Sequence, residues 1–106
     1  MNIYTIYADI TKDYDPKEFV KNMQIFLNSL PTLQSYRITR MKLGFRSIDL
    51  PEFRIDMDFE TMQDLDDAMT NVLTNKDNIE KDHVAFNKMV DQETIQHFLY
   101  RDYPDE

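Results

Sequence analysis

The 106-residue chain contains no cysteine and only one glycine. Without cysteine it forms no disulfide, offers no thiol nucleophile and supplies no thiolate ligand for zinc or an iron–sulfur cluster. A single glycine, Gly44, excludes the glycine-rich loops with which Rossmann domains and P-loop proteins hold phosphate groups. It also excludes the Gly-x-Ser-x-Gly turn that presents a nucleophilic serine.

Positive charge is also scarce, since 12 Lys and Arg face 20 Asp and Glu, for a formal net charge of −8. This excess disfavours nucleic acids and anionic membrane surfaces as partners. No segment approaches the ~20 consecutive apolar residues of a membrane span. The N-terminus, Met1–Tyr4, lacks the basic and apolar regions of a signal peptide. We therefore expect a cytoplasmic protein that binds neither nucleic acid nor membranes.

The length fits a single domain over residues 1–106, and two capped helices are the clearest segments in it. The first is predicted over Asp15–Leu30, because Asp15 is an N-cap and Pro16 takes the first helical position. The second is predicted over Thr61–Leu73, with Thr61 as the N-cap. A shorter helical piece follows the polar interruption at Asn75–Asn78.

Alternating apolar and polar residues predict four strands, over Ile3–Ile10, Ser35–Leu43, Phe53–Phe59 and Glu93–Arg101. The third strand has an apolar face, made of Phe53, Ile55, Met57 and Phe59, and a charged face with Arg54, Asp56 and Asp58. The order strand–helix–strand–strand–helix–strand predicts an α+β, ferredoxin-like βαββαβ sandwich. Its four-stranded antiparallel sheet has the helices on one face, and the other face is either solvated or buried against a second copy.

Two segments of the chain resemble the dimeric α/β-barrel superfamily. One runs from Asp15-Pro16-Lys17-Glu18-Phe19 to Leu30-Pro31-Thr32-Leu33-Gln34-Ser35-Tyr36-Arg37, and the other is Phe59-Glu60 followed by Thr61–Met69. The resemblance implies a homodimer and a small-molecule cavity between helices and sheet. The superfamily includes monooxygenases, isomerases, haem enzymes and ligand-binding proteins, so it does not choose an activity. Many catalytic members carry a Tyr-Trp-x-x-x-His run on the first helix, where this chain has Val20-Lys21-Asn22-Met23-Gln24.

The two histidines are the candidate acid–base residues. His83 lies near Phe86 on the short helical piece, and His97 lies between Ile95 and Leu99 in the last strand. Each fits either a hydrogen-bonded structural role or a place in a cavity. A metal site that combines both with Asp56 or Asp58 lacks any ligand-spacing motif, so we expect neither a metal nor a cofactor.

Arg40 and Arg54 lie on the two arms of the hairpin around Gly44. They either form salt bridges, with Asp56, Asp58 or a partner subunit, or hold a carboxylate ligand through their bidentate guanidinium groups. Met57 and Met69 are predicted to face the gap between helices and sheet, where flexible thioethers fill irregular space and tolerate varied apolar ligands.

Two functions remain open on this basis. The first is a small-molecule binding protein that holds an apolar ligand, with a carboxylate or carbonyl at one end, between helices and sheet. The second is a cofactor-independent isomerase or monooxygenase with His83 or His97 as the base. The candidate ligand-binding residues are Tyr7, Arg40, Arg54, Met57, Met69, His83, Phe86 and His97.

An RNA-recognition module has the same element order. It needs a basic, glycine-containing aromatic run on its third strand, on whose rings the bases stack. The run here carries Asp56 and Asp58 and no glycine, which disfavours this alternative.

Overall fold

The structure, a computed structural model, describes residues 1–44, 50–74 and 79–104. These residues form four strands and three helices: β1 (Asn2–Ala8), α1 (Pro16–Ser29), β2 (Ser35–Arg40), β3 (Phe53–Phe59), α2 (Met62–Leu73), α3 (Ile79–Asn87) and β4 (Gln96–Arg101). The strands pair antiparallel in the order β2-β3-β1-β4. The ferredoxin-like fold predicted from the sequence is therefore confirmed.

Both predicted helix starts are formed by the residues that the sequence indicates. The Asp15 carboxylate accepts a hydrogen bond from the backbone N–H of Lys17 at 2.9 Å, and Pro16 is the first helical residue. The Thr61 hydroxyl accepts one from the N–H of Asp64 at 3.0 Å. These bonds satisfy backbone donors that have no partner within the helix, which fixes where each helix begins.

The core lies in one layer between the sheet and the helices. On β3, the apolar side chains of Phe53, Ile55, Met57 and Phe59 are at most 2% exposed, as the alternation predicts. They meet the buried stripe of α1, which consists of Phe19, Met23, Phe26 and Leu27. Burying two complementary apolar faces is the main favourable contribution to the stability of this sandwich.

The predicted ends of three strands are wrong. β1 covers Asn2–Ala8 rather than Ile3–Ile10, β2 ends at Arg40 rather than Leu43, and β4 begins at Gln96 rather than Glu93. Before β4, Asp91 forms a turn in which its carboxylate accepts a hydrogen bond from Glu93 N–H at 3.1 Å. Because these residues form the turn, they do not pair with the neighbouring strand. The alternating pattern does not reveal this difference.

Two predicted features fall on segments outside the described residues. The loop after Gly44 includes Phe45–Asp49, and the polar interruption before α3 is Asn75–Asn78. Among the residues that the structure describes, no helix is long and apolar enough to cross a membrane.

The sheet face turned away from the helices, called the open face below, is polar at one side and aromatic at the other. Its residues are Ile3, Thr5, Tyr7, Ser35, Arg37, Thr39, Arg54, Asp56, Asp58, Gln96, Phe98 and Tyr100. The carboxylates of the open face form hydrogen bonds and an ion pair with other side chains of the same face. Asp56 accepts a hydrogen bond from Thr5 at 2.6 Å and pairs with Arg54 at 3.0 Å, and Asp58 accepts from Ser35 at 2.6 Å.

Candidate functional site

A small cavity of about 120 Å³ lies between the sheet and the three helices. Most of its wall is apolar: Ile6, Ala8, Ile55 and Met57 from the sheet, and Phe19, Met23, Phe26, Met69, Val72 and Phe86 from the helices. Its polar lining consists of Tyr4, His83, Asn87 and His97. An apolar pocket with a few polar groups is the usual form of a small-molecule site. Apolar cavities of roughly 150 Å³ hold a molecule as large as benzene.

The most specific polar feature of this cavity is a hydrogen-bonded pair formed by Tyr4 and His97. The Tyr4 hydroxyl lies 2.7 Å from Nδ1 of His97, and it donates when that nitrogen carries no proton. The two rings meet edge to face, with centroids 5.8 Å apart. The pair connects β1 to the edge strand β4, and His97 is exposed, so it stands where the cavity reaches solvent.

Burial raises the pKa of the Tyr4 hydroxyl above its ordinary value. The cause is loss of solvation, which disfavours the negatively charged phenolate. Tyr4 therefore stays protonated at neutral pH and keeps a hydroxyl proton to donate. When Nδ1 of His97 carries a proton and donates it to the Tyr4 oxygen, the Tyr4 hydroxyl proton is available to a carbonyl or another neutral acceptor at the cavity wall.

This pKa shift predicts that stability declines in alkali. As the pH rises, the unfolded chain loses the Tyr4 proton near pH 10, before the folded chain does. The contribution of Tyr4 to the free energy of unfolding is therefore complete below about pH 10, and it is lost as the pH rises through the pKa of the folded state. We expect Tyr4→Phe to flatten the fall in unfolding free energy above about pH 10. Urea unfolding at several pH values measures this. Tyr103→Phe, at a residue that is 95% exposed, should keep the wild-type slope. An unchanged slope in Tyr4→Phe would contradict the assignment.

His83 faces the cavity from the helical side. Its ring centroid lies 5.4 Å from that of Phe26 and 5.1 Å from that of Phe86, so it belongs to an aromatic cluster between α1 and α3. The two histidines of the chain thus line one cavity, one on a helix and the other on a strand.

The eight residues predicted from the sequence occupy three different places. Five line the cavity: Met57, Met69, His83, Phe86 and His97. Arg40 lines a separate groove between α1 and β2. Tyr7 and Arg54 lie on the open face, where the guanidinium carbon of Arg54 stands 5.6 Å from the centre of the Tyr7 ring. That these eight residues bind a ligand remains a prediction.

Arg40 and Arg54 are not placed to hold one carboxylate ligand between them, and each forms a salt bridge, as the first of the two alternatives predicts. In the β2–β3 register Arg40 is opposite Phe53 and Thr39 is opposite Arg54, so the arginines stand on opposite faces of the sheet. Arg40 forms an ion pair with Glu52, and Arg54 forms one with Asp56. Desolvation lowers the pKa of Arg54, but the hydrogen bond to Asp56 and the charges of Asp56, Tyr7 and Tyr100 outweigh it, so that its pKa is raised.

Sequence reasoning missed Tyr4 as a site residue, although a signal for it existed. The alternation of β1 places Tyr4 on the same face as Ile6 and Ala8, which is the face that meets the helices. What the alternation does not give is the pairing of β1 with β4, where His97 is opposite Ile6. That register brings His97 within reach of Tyr4.

Within the described ranges, no group of three histidine or acidic side chains is placed to hold a metal ion. The combination of His97 with Asp56 fails for a geometric reason, since His97 stands on the helix side of the sheet and Asp56 on the open face.

Solved structures show the same fold at low sequence identity. An Arabidopsis thaliana protein has a TM-score of 0.78 at 9% identity, with 100% of this chain and 99% of that chain covered. A dimeric ferredoxin-like protein of unknown function from Jannaschia sp. CCS1 has a TM-score of 0.70 at 9% identity, covering 95% and 98%. A cofactor-independent oxygenase from Streptomyces nogalater has a TM-score of 0.63 at 13% identity, covering 98% and 97%.

These similarities show that the chain has the ferredoxin-like fold, which is the fold that the resemblance to the dimeric α/β-barrel superfamily implies. No curated protein sequence matches the chain significantly. The chain belongs to the DUF6614 family, a family of unknown function, whose model matches residues 1–106.

Proposed function

We propose that this protein binds a small, largely apolar molecule in the cavity, with the polar end of the ligand at Tyr4 and His97. The observation that carries the proposal is this hydrogen-bonded pair in the wall of a mostly apolar cavity. Apolar surface supplies the affinity in such a site, and a few fixed polar groups set the orientation of the ligand.

The lining also narrows the class of ligand. Neither Arg40 nor Arg54 lines the cavity, and Tyr4 offers a neutral donor. A buried carboxylate without a positive partner would be strongly disfavoured. Of the two polar ends predicted from the sequence, a carbonyl therefore fits this cavity better than a carboxylate. The volume of about 120 Å³ is somewhat smaller than that of a cavity that holds benzene, so it limits the ligand to a single ring whose polar end extends toward the exposed His97.

A thermal-shift experiment with acetophenone, toluene and benzoate tests this proposal. We expect acetophenone to raise the melting temperature of the wild type most, because a ligand that binds only the native state stabilises it. Tyr4→Phe should weaken acetophenone binding about tenfold, which corresponds to the loss of one hydrogen bond, and should leave toluene binding unchanged. Tyr103→Phe is the matched control. The proposal would be contradicted if acetophenone raised the melting temperatures of Tyr4→Phe and of His97→Ala as much as that of the wild type. It would also be contradicted if acetophenone did not raise the melting temperature of the wild type.

We also propose that the protein is a homodimer in which the open faces of two copies pack together. Tyr7, Phe98 and Tyr100 form an aromatic cluster on this face, with Tyr7 and Phe98 edge to face at 6.0 Å. Phe98 and Tyr100 remain 43% and 47% exposed in the single chain. Asp56 already pairs with Arg54 and accepts a hydrogen bond from Thr5, and Asp58 accepts one from Ser35, which lowers the cost of burying these carboxylates. A neighbour of the same fold is dimeric, which supports a dimer here as well.

An enzymatic role is the second candidate, and the Tyr4–His97 pair is the observation that favours it. When Nδ1–H of His97 donates to the Tyr4 oxygen, Nε2 carries no proton and can remove one next to a ligand carbonyl, as a cofactor-independent isomerase or monooxygenase requires. The similar fold of a cofactor-independent oxygenase is in line with this role. Deuterium incorporation into the methyl group of acetophenone in D₂O tests it. If the protein is an enzyme, the wild type should incorporate deuterium faster than His97→Ala does. Equal rates of incorporation would contradict the enzymatic role.

Three further properties stay predictions: the cytoplasmic location, the single-domain organisation over residues 1–106 and the absence of nucleic-acid binding. Asp56 and Asp58 on the open face support the last, because RNA-recognition modules bind bases on that side of the sheet.

A further inference from the structure

A second concavity lies on the outside of the sandwich, between α1 and the edge strand β2. It has a volume of about 380 Å³ and shares no lining residue with the inner cavity. Val20, Ile38 and Phe53 form its apolar floor, and Lys17, Lys21 and Arg40 form its rim. A volume of this size falls within the range of small-molecule sites.

The groove exists because the buried stripe of α1 does not reach the edge of the sheet. α1 turns Phe19, Met23 and Phe26 toward the core. Val20 and Ile38, on the flank beside β2, are therefore only half-buried. Apolar surface is left open along the groove, next to positive charge.

The positive charges on the rim are not equivalent. Arg40 is already paired with Glu52, and its guanidinium carbon stands 5.7 Å from the centre of the Phe53 ring. Lys17 and Lys21 are exposed, and neither forms an ion pair with a residue in the described ranges. They are four residues apart on one helix, a spacing at which like charges destabilise the helix. This unneutralised pair occurs in a protein whose net charge is −8.

We infer that the groove binds an amphipathic carboxylate, with its carboxylate between Lys17 and Lys21 and its apolar stem along Val20, Ile38 and Phe53. An anion approaching a protein of net charge −8 is attracted only where positive charge is concentrated, and this rim is such a place. The lining residues of α1 extend to Gln24, which gives a length of about 10 Å along the helix. This length suits a medium-chain fatty acid better than a single ring. The inference concerns a site separate from the inner cavity and does not depend on the proposed function.

An NMR titration with octanoate tests the inference. The expected result is that octanoate shifts the backbone amide signals around Lys17, Lys21 and Ile38, while those around Tyr4 and His97 stay unchanged. The double variant Lys17→Gln/Lys21→Gln should bind octanoate about tenfold more weakly, since it loses two exposed ion pairs. The control is Lys81→Gln/Lys88→Gln, which removes two exposed lysine charges elsewhere and should bind like the wild type.

Two ligand controls separate charge from apolar contact. Octan-1-ol has the same stem without the charge and should bind more weakly than octanoate, whereas acetate has the charge without the stem and should not bind measurably. Raising the salt concentration should weaken octanoate binding, because exposed charges are screened. The inference is overturned if the Lys17→Gln/Lys21→Gln variant binds octanoate as tightly as the wild type. It is equally overturned if octanol matches octanoate, or if the shifts appear only at Tyr4 and His97.

Discussion

Replacing Phe98 with glutamate should dissociate the proposed homodimer into monomers. Phe98 lies on the open face, in contact with Tyr7, and it is 43% exposed in the single chain. A dimer that packs two open faces together would bury the new carboxylate in the aromatic cluster with Tyr7 and Tyr100, and such a buried charge costs several kcal/mol. The dimer should therefore lose orders of magnitude in affinity.

The neighbouring residue provides a matched control. Leu99 belongs to the same edge strand and is 50% exposed, but its side chain stands on the helix side of the sheet. Leu99→Glu should remain dimeric. Sedimentation at micromolar concentration distinguishes the outcomes, since a monomer has a mass of 12.8 kDa. A monomeric wild type, or a Phe98→Glu variant that stays dimeric, would show that the open face is not the interface.

The second large effect is expected from Phe19→Ala in the core. Phe19 is fully buried, and its ring centroid lies 5.1 Å from that of Phe53 on β3. Truncation of a buried phenylalanine removes favourable transfer free energy and leaves a void, which together cost about 3–5 kcal/mol. For a domain of this length the melting temperature should fall by more than about 10 °C.

Ile25→Ala is the control for this prediction, because Ile25 lies on the same helix and is 47% exposed. It should change the unfolding free energy by about 0.5 kcal/mol or less. Urea unfolding of the two variants gives both values. Equal destabilisation by Phe19→Ala and Ile25→Ala would mean that α1 does not pack on the sheet through the face described.

Much of the fold follows from local signals in the sequence. Asp15 and Thr61 mark the two helix starts, because each side chain satisfies a backbone donor of its own helix. Phe53, Ile55, Met57 and Phe59 define a buried strand face through a period of two. Such features depend on neighbours in the sequence, so they can be predicted without knowing the tertiary structure.

The site depends on strand register, which these local patterns do not contain. The contact between Tyr4 and His97 spans 93 positions and requires the pairing of β1 with β4. The separation of Arg40 from Arg54 follows from the β2–β3 register, in which a shift of one residue would exchange the faces. The sequence could therefore indicate residues that line the cavity, such as Met57 and His97, without showing which of them meet.

Methionine methyl NMR tests the central claim, that the inner cavity holds a small apolar ligand, most directly. Met23, Met57 and Met69 line the cavity, whereas Met1, Met41 and Met62 are exposed and do not. Titration of the ¹³C-methyl-methionine-labelled protein with acetophenone should shift the signals of the first three residues and leave those of the other three in place. Saturable shifts confined to the exposed methionines, or no shift at any of the six, would contradict the claim.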